Sequence, residues 1–516
     1  MLLDILVAPK VQPEVVTLVL DVLQTLLDFS PETAVEQRLL SEPEAAKAAE
    51  LTRATIQKHV SQILAHMRTC FSSSLFAAAA SNAGASGSGS GSASAASTRG
   101  GNSLALRQIR ILSRVSEYAT RQTADAKALL DLLLPILRKP NSMVPERSKG
   151  DVLEIMRRFV PIVLESADLE LAAEQRQRVF SAYLDAVSSC FGRMRLETAR
   201  TTLSEILCIL ARIDKAQRTR GQTPAPASTP LENAAAVVQG INSVSRASLG
   251  GPDFEQRLEA FAQLNERLWS DAQSLDALAW VPVLHNLTFF AQDLEEMSIR
   301  SNASFGLVRF VTRVSVANAE HPDEAETQAL NRLMTTILLP AIRYAFTSKH
   351  EDIRAEFVGV LRKAVRECGV YFDQLRDLMA LDSADEEANF FYNIVHIQLH
   401  RRLRALRRFR SIVVEKPISD RAASQAMDVD EANGDLDRPN DGDSDSDNGS
   451  DSEQETEANQ GGKKSTGSAS KADRSALLPL SLDRGNEQIS PISQANIRGL
   501  FLPLFEHWAL AEDTSS

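Results

Sequence analysis

Aromatic side chains make up only 5% of the 516 residues, too few for a strand-rich protein, whose sheets favour aromatic and β-branched residues. Cysteine is as sparse. Cys70, Cys190, Cys208 and Cys368 are scattered with no CxxC pair, so neither a disulfide framework nor a cysteine zinc site is expected, and the usage is that of an intracellular chain. Cys208 and Cys368 stand in apolar helical stretches where a small hydrophobe fits. No run of about 18 apolar residues occurs, which argues against a membrane span. The apolar start, residues 1 to 7, has no basic lead and no small-residue cleavage site, so no signal peptide is read. GxSxG, kinase and paired-carboxylate signatures are missing, so neither an enzyme nor a cofactor or small-molecule substrate is expected. Charge of one sign is missing as well, outside one segment. Residues 428 to 457 hold 13 Asp or Glu against Arg438 alone and so account for the whole net charge of -12.

What the chain has in abundance is Leu, Ile, Val and Ala at three- and four-residue spacing. Ile155, Phe159, Ile162 and Val163 form one stripe, with Arg157, Arg158 and Glu165 off it, the pattern of an amphipathic helix. Similar helices are predicted near 11–29, 52–71, 104–121, 124–138, 172–192, 195–213, 253–270, 297–316, 327–347, 350–369 and 385–413. Many one-sided helices in series bury their apolar faces only by stacking, the logic of a solenoid. Three stretches are too polar or too small in side chain to pack and are expected to be disordered: 72–103 (GASGSGSGSASAAS), 215–251 (RGQTPAPASTP) and 417–475, which holds the acidic tract. The Gly-Ser run is no phosphate loop, since no strand precedes it and no GK[ST] closes it.

Proline falls between apolar pairs five times, at Pro135, Pro161, Pro282, Pro340 and Pro503. Proline inside a helix removes a backbone hydrogen bond and bends the axis, and its recurrence resembles the kinked first helix of HEAT repeats. Arg354 lies fourteen residues after Pro340, the separation that pattern uses to open the second helix. Arg300 lies eighteen after Pro282, and Pro161 has no arginine at fourteen, so the repeats are irregular.

His396 and His400 share an i, i+4 spacing that suits zinc, but HIQLH lacks the glutamate of HExxH, so no metal site is assigned. His59 and His66, two turns apart with no ligand pattern beside them, are read as surface or half-buried side chains. The strongest local feature is the helix 396–410, with Arg401, Arg402, Arg404, Arg407, Arg408 and Arg410 in its last ten residues. Helical spacing predicts Val395, Leu399, Leu403 and Leu406 on one packed face and Arg401, Arg404 and Arg408 opposite. No Asp or Glu occurs from 388 to 411, so local helix partners are missing. Phosphate contact, an internal acidic partner and plain solvation all remain open for these arginines. Ser444, Ser450 and Ser452 each precede an acidic residue by three positions and are candidates for an acid-directed kinase.

The run DEEANFFYNIVHIQLHRRLRALRRFR (Asp385–Arg410) resembles a signature of the U3 small nucleolar RNA-associated protein 20, or "down-regulated in metastasis", family. Colinear similarities are LRQIRILSRVSEYAT (Leu106–Thr120), LLDLLLPILRKPNSMVPERSKGDVLEIMR (Leu129–Arg157), PDFEQRLEAFAQLNE (Pro252–Glu266) and IRSNASFGLVRFV (Ile299–Val311). The resemblance implies a non-catalytic HEAT-type scaffold of the nucleolus, within the small-subunit processome that holds the U3 ribonucleoprotein, pre-ribosomal RNA and other processome proteins. Members are far longer, so an interior or fragmentary portion is expected.

The reading is therefore an all-α, irregular HEAT-type helical-repeat solenoid with long disordered insertions. Helical repeats are expected at 1–71, 104–214 and 252–416, and a short helical segment at 476–516. One rival is a HEAT adaptor for proteins, of the transport or phosphatase-scaffold type, although Trp269, Trp280 and Trp508 are few for a peptide-binding ladder. The other rival is an enzyme with a pocket assembled from distant residues.

Overall fold

A computed structural model describes residues 13–37, 39–83, 106–118, 126–165, 173–218, 228–245, 251–414 and 492–509. Contacts divide the chain into two units, 1–408 with 492–516, and 409–491. Of the second, 409–414 are described, as helix. Among the described residues there is no strand, only one isolated antiparallel bridge between Val244 and Pro252, and the fold is all-α and repeat-like, as the near-3.6 period predicts.

The first unit opens with α1 (Pro13–Leu27), α2 (Glu42–Ala83) and α3 (106–115). Arg107 and Arg114 of α3 tie back to α1, through the Asp21 carboxylate and the Leu27 carbonyl respectively. Two rows of helices follow. The first row runs α4 (Ala126–Arg138), α6 (Ala173–Phe191), α10 (Ala277–Phe290) and α12 (Ala325–Leu333), each packed on the next. The second runs α5 (Glu146–Glu165), α7 (Glu197–Arg218), α8 (Pro230–Ile241), α9 (Phe254–Ala262), α11 (Met297–Glu320) and α14 (Glu351–Cys368). Between α12 and α14 stands α13 (Leu339–Phe346). The core between the rows is aliphatic, with Trp280 fully buried and tilted on Phe310 at 5.2 Å between ring centroids.

Two boundaries differ from expectation. Helix α2 continues to Ala83, past 71. More consequentially, α8 lies inside the stretch 215–251 that composition marks as disordered. Its start is a capping box: the Thr229 hydroxyl accepts from the Glu232 amide at 3.3 Å while the Glu232 carboxylate accepts from the Thr229 amide at 3.1 Å. Pro230 fills the first helical position, where a missing N–H costs nothing. Leu231, Ala234, Val237, Val238 and Ile241 are buried. Averaging over the proline-rich residues before it hides this apolar period. Gly240 lets α8 lie close on α9, since a Cβ there would stand 2.6 Å from that of Ala260.

A repeat mark that proline spacing only half reveals is a buried cation at the fourth residue of each paired second helix. Lys149, Arg200, Arg257, Arg300 and Arg354 are each under 8% exposed. Each donates to carbonyls of the turn before its helix: Lys149 to Lys139 at 2.5 Å, Arg200 to Phe191 at 2.6 Å and Met194 at 2.9 Å, Arg257 to Ser243 at 3.1 Å, Arg300 to Asp293 at 2.9 Å and Arg354 to Ser348 at 2.7 Å. The last carbonyls of a helix lack intrahelical partners and carry the negative end of its dipole, so a cation there satisfies both. Lys149 stands fourteen after Pro135, the place an arginine takes after Pro340. Pro135, Pro161 and Pro282 sit inside helices. Pro340 and Pro503 instead follow π turns, Met334–Leu338 and Ile497–Phe501, which loosen the hydrogen-bond ladder just where proline cannot donate.

His285 of α10 lies against Gly192, and burial holds its imidazole down to about 4. A base whose folded pKa is depressed contributes stability that is present above its ordinary value near 6.5 and lost as the pH falls toward 4. The thermal midpoint of the wild-type chain should therefore fall across that window more steeply than that of His285→Gln. Equal pH profiles would exclude His285 as the cause.

Candidate nucleic-acid interface

The arginine-rich segment is not one helix. Asn389 caps α15 (Phe390–Ile394) by accepting from the Phe391 amide at 3.0 Å, and Asn393 donates to the carbonyls of Glu386, Glu387 and Asn389. These side-chain bonds compete with helix propagation. The chain turns at Val395, the His396 Nδ1 accepts from the Gln398 amide at 3.0 Å, and α16 (Leu399–Val414) starts afresh. His396 and His400 therefore do not share a helix face. Partial desolvation, then Arg401, His400 and Arg402, hold the His396 imidazole below its ordinary value. Among the described residues no group of His, Cys, Asp or Glu is arranged to hold a metal ion.

The expected faces of α16 are also corrected. Leu399 and Leu403 are 55% and 43% exposed, and the buried position is Ala405. A small residue lets the helix approach closely, and the long arginines beside it reach inward to acceptors. Arg408 donates to the Ala380 carbonyl at 3.0 Å and to that of Ala388. Arg404 bonds the Glu387 carboxylate at 2.9 Å, and Arg402 lies 3.5 Å from that of Glu351. An internal partner is thus what the geometry shows for Arg402, Arg404 and Arg408. Arg401 is half-buried and Arg407 exposed, and neither has an ion pair among the described residues. The double variant Arg404→Gln, Arg408→Gln should cost about 1–3 kcal/mol in urea unfolding, chiefly because two carbonyls lose their donor. Arg407→Gln should change stability by less than about 0.5 kcal/mol. Equal losses would overturn the division.

Ser444, Ser450, Ser452 and the acidic tract lie outside the described residues. The thiols of Cys190 and Cys368 are buried and pushed up to about 11 and about 12, and burial also raises Cys208; a thiol kept protonated is a poor nucleophile and ligand. His59 is half-buried, its Nδ1 3.0 Å from the Gln62 amide oxygen. No described helix is long and apolar enough to cross a membrane. Local sequence reading misses two further arginines. The guanidinium of Arg309 stacks on Trp269 and Phe305, at 4.4 and 4.7 Å from the ring centroids, and that of Arg362 on Tyr392 at 3.9 Å. Trp269 and Arg309, and Arg362 and Tyr392, are thirty or more residues apart in the chain, so no window joins them.

A family model described as U3 small nucleolar RNA-associated protein 20, N-terminal, matches residues 1–350. The chain is 34% identical over 305 residues to the U3 small nucleolar RNA-associated protein 20 of Schizosaccharomyces pombe, covering 59% of this chain and 11% of the relative. It is 34% identical over 179 residues to the protein of that name from Saccharomyces cerevisiae, covering 34% of this chain and 7% of the relative. The chain thus spans about a tenth of the length of these relatives. A model match over more than half of its length, with two relatives of one name, shows that the chain belongs to the U3 small nucleolar RNA-associated protein 20 family.

Proposed function

We propose that this chain is a non-catalytic helical scaffold in ribosome biogenesis, acting in the nucleolus within the small-subunit processome, beside the U3 ribonucleoprotein and pre-ribosomal RNA. Family membership carries this reading, through relatives named for their association with U3 small nucleolar RNA. The two rows of helices suit it, because stacked repeats present long surfaces for several partners at once. On α16, Arg401 and Arg407 are among the arginines that remain for phosphate once Arg402, Arg404 and Arg408 have internal acceptors.

The test is ultraviolet crosslinking of the tagged chain in cells, followed by sequencing of the attached RNA. Reads enriched in U3 RNA and pre-ribosomal RNA are expected, and depletion should raise unprocessed precursor of the small-subunit RNA. Reads without either RNA, with normal processing after depletion, would reject the proposal.

A further inference from the structure

Counting from the buried cations places corresponding positions of successive second helices side by side. Eight and nine residues beyond Lys149 stand Arg157 and Arg158, which are neutralised. Arg157 lies 2.8 Å from Glu154 and 3.2 Å from Glu205, and Arg158 lies 3.3 Å from Glu117. At the same level in α11 and α14 stand Arg309, nine beyond Arg300, and Arg362, eight beyond Arg354. The carboxylates available there are taken by other groups. Glu356 accepts from the Ser301 hydroxyl at 2.8 Å and from Ser304, while Glu367 accepts from Thr312 at 3.0 Å and pairs with Lys363. Among the described residues the guanidinium groups of Arg309 and Arg362 have no ion pair and no hydrogen bond, and their buried atoms Nε and Nη1, respectively, are unpaired.

What holds these two guanidiniums is aromatic stacking, which fixes their planes and leaves the donors on their edges unspent. The rings keep free faces: Phe305 is 45% exposed, Tyr392 40%, and Trp269 is half-buried. Gly359, five beyond Arg354 as Phe305 is five beyond Arg300, has no atom within 4 Å of where a Cβ would stand, so α14 is open at the position that Phe305 takes on α11. Packed neighbouring helices such as α11 and α14 lie about 8–10 Å apart, so a ligand lying across both helices is long enough to reach the two cations when it spans a few nucleotides or residues. That ligand must bring anionic acceptors and flat apolar faces in alternation. A single nucleic-acid strand does so, a duplex hides its base faces, and an acidic peptide supplies only the charge.

We propose that the exposed face of α11 and α14 binds single-stranded RNA, with Arg309 and Arg362 on the backbone and bases stacked against Phe305, Trp269 and Tyr392. From the proposed function this takes only that the strand is RNA. Recovery of U3 RNA from cells reads that function and oligonucleotide affinity reads this site, so either can fail without the other.

The experiment is fluorescence anisotropy of a labelled short oligo(U) with the full chain, between about 50 and 200 mM salt. Arg309→Gln with Arg362→Gln should weaken binding and flatten the log-log salt slope by about 1.4, at about 0.7 per phosphate lost. Phe305→Leu and Tyr392→Leu should each weaken binding about fivefold or more with the slope unchanged, because stacking involves no counterion release. A duplex of the same length should bind more weakly than the single strand, and binding should quench tryptophan fluorescence less in Trp269→Leu than in the parent. Failure of the parent to bind oligo(U) overturns the proposal, as do folded variants that bind within about twofold of the parent. An Asp/Glu-rich peptide that binds as tightly as oligo(U) and is lost in the same variants overturns it in favour of a protein partner. Should the arginine variants fail to fold, Tyr392→Leu alone decides, since Tyr392 lies on the shorter α15 and is 40% exposed.

Discussion

Replacing Arg200 by methionine should lower the thermal midpoint by on the order of 10 °C and stability by about 3–5 kcal/mol. This side chain, 4% exposed, joins three helices at one point. Besides its two carbonyl acceptors it donates from Nε to the Asn242 amide oxygen and from Nη2 to that of Asn286, both at 2.7 Å. Its guanidinium lies over the Phe289 ring at 3.8 Å and the Phe290 ring at 4.8 Å. Burial, and then the neighbouring Arg257, pull its pKa down to about 9, so it is still charged at neutral pH. Methionine matches the bulk but leaves the Phe191 and Met194 carbonyls and the Asn242 oxygen buried without a donor, and an orphaned acceptor costs its full desolvation. Lysine should not restore stability, because one ammonium cannot reach both amide oxygens and both carbonyls in the planar fork geometry of arginine. Circular dichroism during heating, with Arg200→Met and Arg200→Lys beside wild type, reads this directly. A methionine variant within about 2 °C of wild type would mean that the network contributes nothing.

Trp280→Ala should be comparably damaging, at about 3–5 kcal/mol, whereas Trp280→Phe should cost far less. Trp280 is fully buried between the rows, and its indole N–H has no hydrogen-bond partner. Alanine removes most of a large side chain from a close-packed interior that collapses only partly, so a cavity remains beside Phe310. Phenylalanine keeps an aromatic body against Phe310 and removes an unpaired buried donor, two effects of opposite sign. Urea unfolding monitored at constant temperature gives both differences. A phenylalanine variant as unstable as the alanine one would show that the indole nitrogen has a partner, such as a buried water.

The all-α class was legible because it needs only short-range information: apolar residues at three and four, few aromatics, and prolines flanked by apolar pairs that helices tolerate. Arg354 was likewise legible from its spacing to Pro340, whereas Arg300, eighteen after Pro282, departs from that spacing. Lys149 was not, since a lysine in an arginine's place breaks the motif while doing the same physical task. The faces of α16 were misread because periodicity ranks leucine as inward and arginine as outward. Half-buried carbonyl acceptors at Ala380 and Ala388 reverse that ranking, and Leu399 and Leu403 face solvent instead. No local pattern announces those carbonyls.

The sequence alone determined the helical period and the apolar stripes, because each rests on residues within one or two turns of one another, and the family likeness, because its blocks recur in order along the chain. Tertiary structure alone decided the row in which α8 sits, the meeting of Arg200 with Asn242 and Asn286, and the pairing of Arg402 with Glu351. It also decided which arginines are neutralised by carboxylates and which are held only by aromatic rings. The reason is physical: a guanidinium finds its partner by distance in space, and Trp269 with Arg309, or Arg362 with Tyr392, become neighbours only after the helices between them have packed.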